Sequence, residues 1–101
     1  MSKVLTGIAA VVMLLGSHSV VMAGDAAAGK TKSATCAACH GADGVSATDM
    51  FPNLKGQKAA YIVKQLKAFK DGSRKDPTMS PMAAPLADAD MDDLAAYYSA
   101  Q

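Results

Sequence analysis

Residues Cys36-Ala37-Ala38-Cys39-His40 hold both cysteines of the chain and one of its two histidines. Two thiols three positions apart, with an imidazole directly after the second, allow four chemistries: a disulfide, a redox dithiol, part of a metal site, or covalent attachment of haem. Each demands something different of the rest of the chain. A bridge between Cys36 and Cys39 would close too small a loop to stabilise much. A thioredoxin-type dithiol needs a strand before the motif and a βαβ context, whereas the flanks here are alanine-rich and helical in pattern. Structural zinc takes four ligands, so the count of remaining histidines matters.

That count depends on the N-terminus. Lys3, an apolar stretch from Val4 to Leu15 and the small residues of Val21-Met22-Ala23 before Gly24 read as an export signal over residues 1–23, cleaved after Ala23. A retained anchor is the alternative, since Val4 to Met22 is nearly long enough to span a bilayer. Gly16-Ser17-His18-Ser19 interrupts it. Cleavage leaves a single domain over residues 24–101, placed in the periplasm with no stable membrane insertion, and leaves His40 as its only histidine. An oxidising compartment follows, where thiols are normally bonded to something. Three candidate ligands, Cys36, Cys39 and His40, do not close a zinc site. C-x-x-C-H is the spacing of c-type haem attachment: two thioethers fix the vinyl-bearing edges of the porphyrin and the next residue stands under the iron.

Composition agrees with a bound prosthetic group. The mature part has 78 residues and the whole chain five aromatic side chains and no tryptophan, a thin core for a domain of this size. Without Lys3 it carries nine basic and nine acidic side chains. A nucleic-acid binder is expected to be strongly basic, so that class is disfavoured.

No stretch alternates as a strand, and an all-α fold with three main helices around a central group is expected. The first helix starts after Asp25 as N-cap and runs toward Cys39, with Gly29 a point of close backbone approach. The second spans KAAYIVKQLKAFKDG, with Ile62, Leu66 and Phe69 on one face. The third opens on Asp88 and Asp90 and buries Met91, Leu94, Ala95 and Tyr98. Between the last two lies DPTMSPMAAPL, read as an irregular, proline-broken loop that could aim Met79 or Met82 at a metal. Met91 reads as core and Met50, beside Phe51-Pro52, as a wall residue.

An N-terminal helix running into CAACHG, then FPNLKGQ, a middle helix ending KDGSRKD, a methionine loop and LADADMDDLAAYY occur in order over nearly all of residues 24–101. In this the chain resembles class I c-type cytochromes of the small bacterial periplasmic branch, and one half of the two-haem cytochromes of that branch. The resemblance implies a small cytochrome c fold with one covalently bound haem c (heme c), thioethers at Cys36 and Cys39, and His40 as proximal iron ligand. It implies that the Pro52 carbonyl accepts the proximal imidazole N–H, which fixes the ring and raises its basicity. In the family the methionine ligand commonly precedes by seven residues the leucine that opens the last helix; Leu86 is that leucine here, which selects Met79 over Met82. The first helix lacks the aromatic many relatives carry, so that Gly29 and Ser33 would approach Tyr97 or Tyr98, and Ala87 stands where a capping serine is common, leaving capping to Asp88 or Asp90.

Iron held by His and Met on both faces has no open site and favours electron transfer. The expected function is therefore a soluble one-electron carrier rather than an enzyme, serving redox partner proteins. Two alternatives stay open: a haem-bearing subunit of a larger redox complex, and a haem enzyme or gas sensor whose methionine is displaced. Charge is segregated, with seven basic residues and one Asp between Lys55 and Lys75 and five acids with no base from Asp76 to Gln101. Such a dipole can steer docking. Arg74 is a candidate partner for a haem propionate, its guanidinium fork being matched to a carboxylate.

Overall fold

Asp25 begins the first helix by turning its carboxylate onto the backbone N–H groups of Ala27 and Ala28, which satisfies two of the donors every helix start leaves free. The computed structural model describes residues 24–101; residues 1–23, read above as an export signal and including His18, lie outside them. Five helical segments follow, with no strand among the described residues: α1 (Ala26–Lys32), α2 (Ala34–His40), α3 (Ala59–Asp71), α4 (Met79–Ala83) and α5 (Asp88–Ser99).

The expected single N-terminal helix is broken at Ser33, whose Oγ donates to the Lys30 carbonyl at 2.7 Å. A hydroxyl that bonds back one turn competes with the helix ladder and bends it. The methionine segment, expected to be an irregular loop, forms α4 because Asp76 and Pro77 supply a start. The Asp76 carboxylate accepts from the N–H groups of Thr78 and Met79, and its own N–H donates to Ser80 Oγ, while Pro77 has no N–H to lose in a first turn.

Helices α1 and α5 cross at Gly29. A Cβ there would lie 1.9 Å from the Asp93 carbonyl oxygen and 2.8 Å from Tyr97 Cβ, so only glycine lets the two backbones meet. Lys32 closes the same crossing, its Nζ lying 2.8 Å from Asp90 Oδ1 and 2.5 Å from Asp93 Oδ2. The other Asp93 oxygen accepts the Asp25 N–H at 2.8 Å. These are the only ion pairs among the described residues, and sequence pattern alone gave no sign of them. The Ala87 N–H donates to the Asp90 carboxylate at 2.8 Å, so Asp90 reaches back to the N-cap backbone, while Ala87 has no side-chain acceptor for the N–H groups of the first turn.

Helix α3 packs on both α5 and α4. Its apolar face buries Ile62 and Phe69, with Leu66 half-buried, and α5 buries Met91, Leu94, Ala95, Ala96, Tyr97 and Tyr98. Full burial of side chains such as Met91 and Leu94 contributes about 1.5–3 kcal/mol each. The Lys70 ammonium donates to the Leu86 carbonyl and ties α3 to the entry of α5.

Candidate functional site

Helical spacing gathers the motif. Cys36, Cys39 and His40 fall at i, i+3 and i+4 on α2, hence on one face. Both cysteines are half-buried free thiols and His40 is 6 % exposed. The helix stops at Gly41, whose φ of +84° suits glycine and whose Cβ would collide with the Val45 carbonyl oxygen at 1.9 Å. The chain turns there into the loop that returns under the histidine.

His40 Nδ1 lies 2.8 Å from the Pro52 carbonyl oxygen. A carbonyl only accepts, so Nδ1 carries a proton, and in the neutral imidazole the lone pair lies on Nε2. That is the tautomer a metal ligand needs. The Pro52 loop is held by the Leu54 and Lys55 N–H groups on the Gly44 carbonyl and by Ser46 N–H on the Asn53 side chain. Phe51 stands edge-on to the imidazole, ring centroids 6.4 Å apart. The Tyr97 hydroxyl donates to the Ala42 carbonyl at 2.7 Å, anchoring α5 to the residues just past the motif. Both residues lie in stretches that carry the family resemblance, FPNLKGQ and LADADMDDLAAYY, but the sequence gives neither of these contacts.

The methionines separate by exposure. Met91 is 0 % exposed and belongs to the core, whereas Met82 is 38 % and Met50 83 % exposed. Met79 is half-buried at the first turn of α4. Asp76 is held below the ordinary carboxylate range by the Met79 N–H, then by that of Thr78, so the cap that fixes Met79 stays ionised at neutral pH. The segments that carry His40 and Met79 share no backbone contact, since α4 packs on α3 and α2 on α1.

Arg74 has its partners on α3. Its guanidinium donates to Gln65 Oε1 at 2.7 Å and lies 4.5 Å over the Phe69 ring. One buried side-chain polar atom among the described residues has no hydrogen-bond partner, the hydroxyl of Tyr98. Burial pushes that phenol well above its ordinary value, with Cys36 beside it adding to the shift.

The donor set fits a c-type haem: two thiols and a lone-pair imidazole on one helical face, and a thioether on a separate segment that can close on the other side of the iron. No group of three or more His, Cys, Asp or Glu suited to a bare metal ion occurs among the described residues.

Comparison with known proteins agrees. The cytochrome c family model matches residues 26–99. Over 82 residues the chain is 52 % identical to cytochrome c-554(548) of Halomonas halodenitrificans, covering 78 % of this chain and 99 % of that protein. It is 44 % identical to cytochrome c4 of Pseudomonas aeruginosa, all of this chain matching 49 % of the relative. The crystal structure of reduced recombinant cytochrome c4 from Pseudomonas stutzeri superposes with a TM-score of 0.73 at 47 % identity, over 77 % of this chain and 46 % of that one. The chain thus spans about half the length of the cytochrome c4 relatives and nearly the whole of cytochrome c-554(548).

Proposed function

The chain belongs to the cytochrome c family, an all-helical fold of electron-transfer proteins with one covalently bound haem c, and from that premise we propose that it works as a soluble periplasmic one-electron carrier with its iron held between His40 and Met79. The observation that carries the reading is the bond between His40 Nδ1 and the Pro52 carbonyl, which leaves Nε2 as a fixed, unprotonated donor. When bound, the haem supplies the exchange of one electron at its iron.

The protein's own residues do the rest. Cys36 and Cys39 hold the group by thioethers, so the small domain cannot lose it. His40, oriented by Pro52, and Met79, set on α4 by the Asp76 cap, leave no iron position for a substrate. A thioether ligand favours the reduced state and a positive potential. A propionate bond from Arg74 would require its guanidinium to leave Gln65.

Docking falls to the segregated charge. Lys55, Lys58, Lys64, Lys67, Lys70, Arg74 and Lys75 are all exposed, and none pairs with an acid among the described residues. An acidic patch on a donor or acceptor protein fits this surface. No helix of the described residues is long and apolar enough to cross a membrane.

A reduced-minus-oxidised spectrum of the exported protein, with its mass after acid–acetone extraction, tests the proposal. A low-spin c-type spectrum and a mass increased by one haem are expected. Loss of haem into the solvent, or ready binding of carbon monoxide by the reduced protein, would overturn it in favour of a haem enzyme or sensor.

A further inference from the structure

Tyr98 is 2 % exposed, yet its hydroxyl has no hydrogen-bond partner. A buried hydroxyl left so loses its hydration without recompense, and it is an anomaly in a core this small. The ring cannot swing away to water. It packs in the cluster of Ile62, Leu94, Ala95 and Tyr97, its centroid 5.1 Å from that of Tyr97, and a Cβ at Gly44 would already meet its Cδ1 at 3.1 Å. The hydroxyl therefore stays aimed where it is. Cys36 packs against that same cluster, and its sulfur and the Ser33 hydroxyl are the polar groups beside the phenol, yet neither makes a hydrogen bond to it. Ser33 has spent its proton on the Lys30 carbonyl, so toward Tyr98 it can only accept.

Cys36 changes character on maturation. As a thiol it carries a weak donor. Thioether formation adds S–H across a haem vinyl group, the sulfur bonding one vinyl carbon and the hydrogen going to the other, with no electron left over. The sulfur then has lone pairs and no hydrogen.

We propose that in the mature protein the Tyr98 hydroxyl donates to the Cys36 thioether sulfur, making Tyr98 a positioning residue that holds this edge of the haem to α5 and raises its potential, with Ser33 as the competing acceptor. This rests on the reading of Cys36 as a thioether position. The direction follows from electrostatics: a donor that draws electron density from the sulfur favours the electron-rich, reduced haem. Burial keeps the phenol protonated, and hence a donor, throughout the working pH range.

The test compares the holoprotein with its Tyr98→Phe and Ser33→Ala variants. Each is equilibrated with a one-electron dye couple, and resonance Raman spectra are recorded in H2O and D2O. Tyr98→Phe keeps the ring and removes only the donor; its redox equilibrium should shift about threefold toward the oxidised form, about 28 mV at 59 mV per tenfold for one electron. Ser33→Ala removes the competitor and should shift the equilibrium the opposite way. The thioether C–S stretch should move in D2O for the wild type and Ser33→Ala but not for Tyr98→Phe, a signature that mere packing would not produce. An unshifted potential in Tyr98→Phe, or a wild-type C–S stretch insensitive to D2O, overturns the proposal. The second measurement decides even if a variant fails to fold. Absence of covalent haem from the wild type would instead refute the carrier reading itself, which mass analysis establishes beforehand.

Discussion

Gly29→Ala should destabilise the protein, although alanine is the better helix former. In a solvated helix the change is worth about 0.8–1.0 kcal/mol in favour of Ala. Here the new Cβ would lie 1.9 Å from the Asp93 carbonyl oxygen and 2.6 Å from its carbon. Non-bonded heavy atoms rest at about 3.5 Å or more, so α1 has to retreat from α5 by on the order of 1.5 Å. The obstructing atoms are backbone, which no rotamer change can move aside. Overpacking costs about 1–3 kcal/mol, and a rigid obstacle belongs at the upper end. Subtracting the helix gain leaves a net loss of about 2 kcal/mol, which for a domain of this size lowers Tm by on the order of 8–16 °C. Thermal unfolding of the oxidised holoprotein, followed by far-ultraviolet circular dichroism and haem absorbance, measures it. An unchanged or raised Tm would mean that the crossing has slack at residue 29, and the account of how α1 and α5 meet would fail.

Other expectations follow from the site and the clamp. Met79→Ala should abolish the weak sulfur-to-iron band at the red end of the oxidised spectrum, admit exogenous ligands and lower the potential; Met82→Ala, with its side chain partly in solvent, should keep the band and cost about 1 kcal/mol or less. Loss of the band in Met82→Ala instead would move the ligand to that residue. Asp90 is held below its ordinary range by Lys32 and then the Ala87 N–H, and Asp93 by the Asp25 N–H and then Lys32. Their contribution is complete above about pH 4 and disappears as pH falls through their depressed values; Lys32, raised by the same pair, loses its share only as pH climbs through its own raised value. Lys32→Met should therefore flatten the acid limb of a stability–pH curve, and an unaltered limb would show the clamp to be inert. Replacing Cys36 and Cys39 together by alanine should leave a largely unfolded chain by circular dichroism, because haem supplies much of the core; near-native helix content would refute that.

The two long helices were legible because their apolar positions repeat on one face: Ile62 and Phe69 on α3, and Met91, Leu94, Ala95 and Tyr98 on α5, are all buried as expected. Three features escaped for different reasons. Asp76-Pro77 is a good helix start, but the prolines at 77, 81 and 85 read as breakers and hide α4 behind the pattern of a loop. A serine inside an alanine-rich run does not announce which carbonyl its hydroxyl will take, so the break at Ser33 was invisible. The Lys32 clamp joins residues 58 and 61 positions apart, and no local pattern encodes such a meeting. At the site, spacing alone pointed to Cys36, Cys39 and His40, whereas Pro52 entered only through the family resemblance, because a backbone carbonyl leaves no trace in side-chain identity.

The crossing of α1 with α5 also sets a schedule. The helix that leads into the haem motif finds its long-range partner in the last dozen residues of the chain. A polypeptide emerging N-terminus first therefore exposes Cys36 and Cys39 well before anything exists to cover them. Contacts this distant in sequence are slow to form, which prolongs the interval further. During it neither thiol has α5 beside it; once α5 docks, Tyr97 pins the segment just past the motif and Cys36 packs against the core cluster. Topology thus orders the assembly of this protein, with the motif exposed first and α5 docked after.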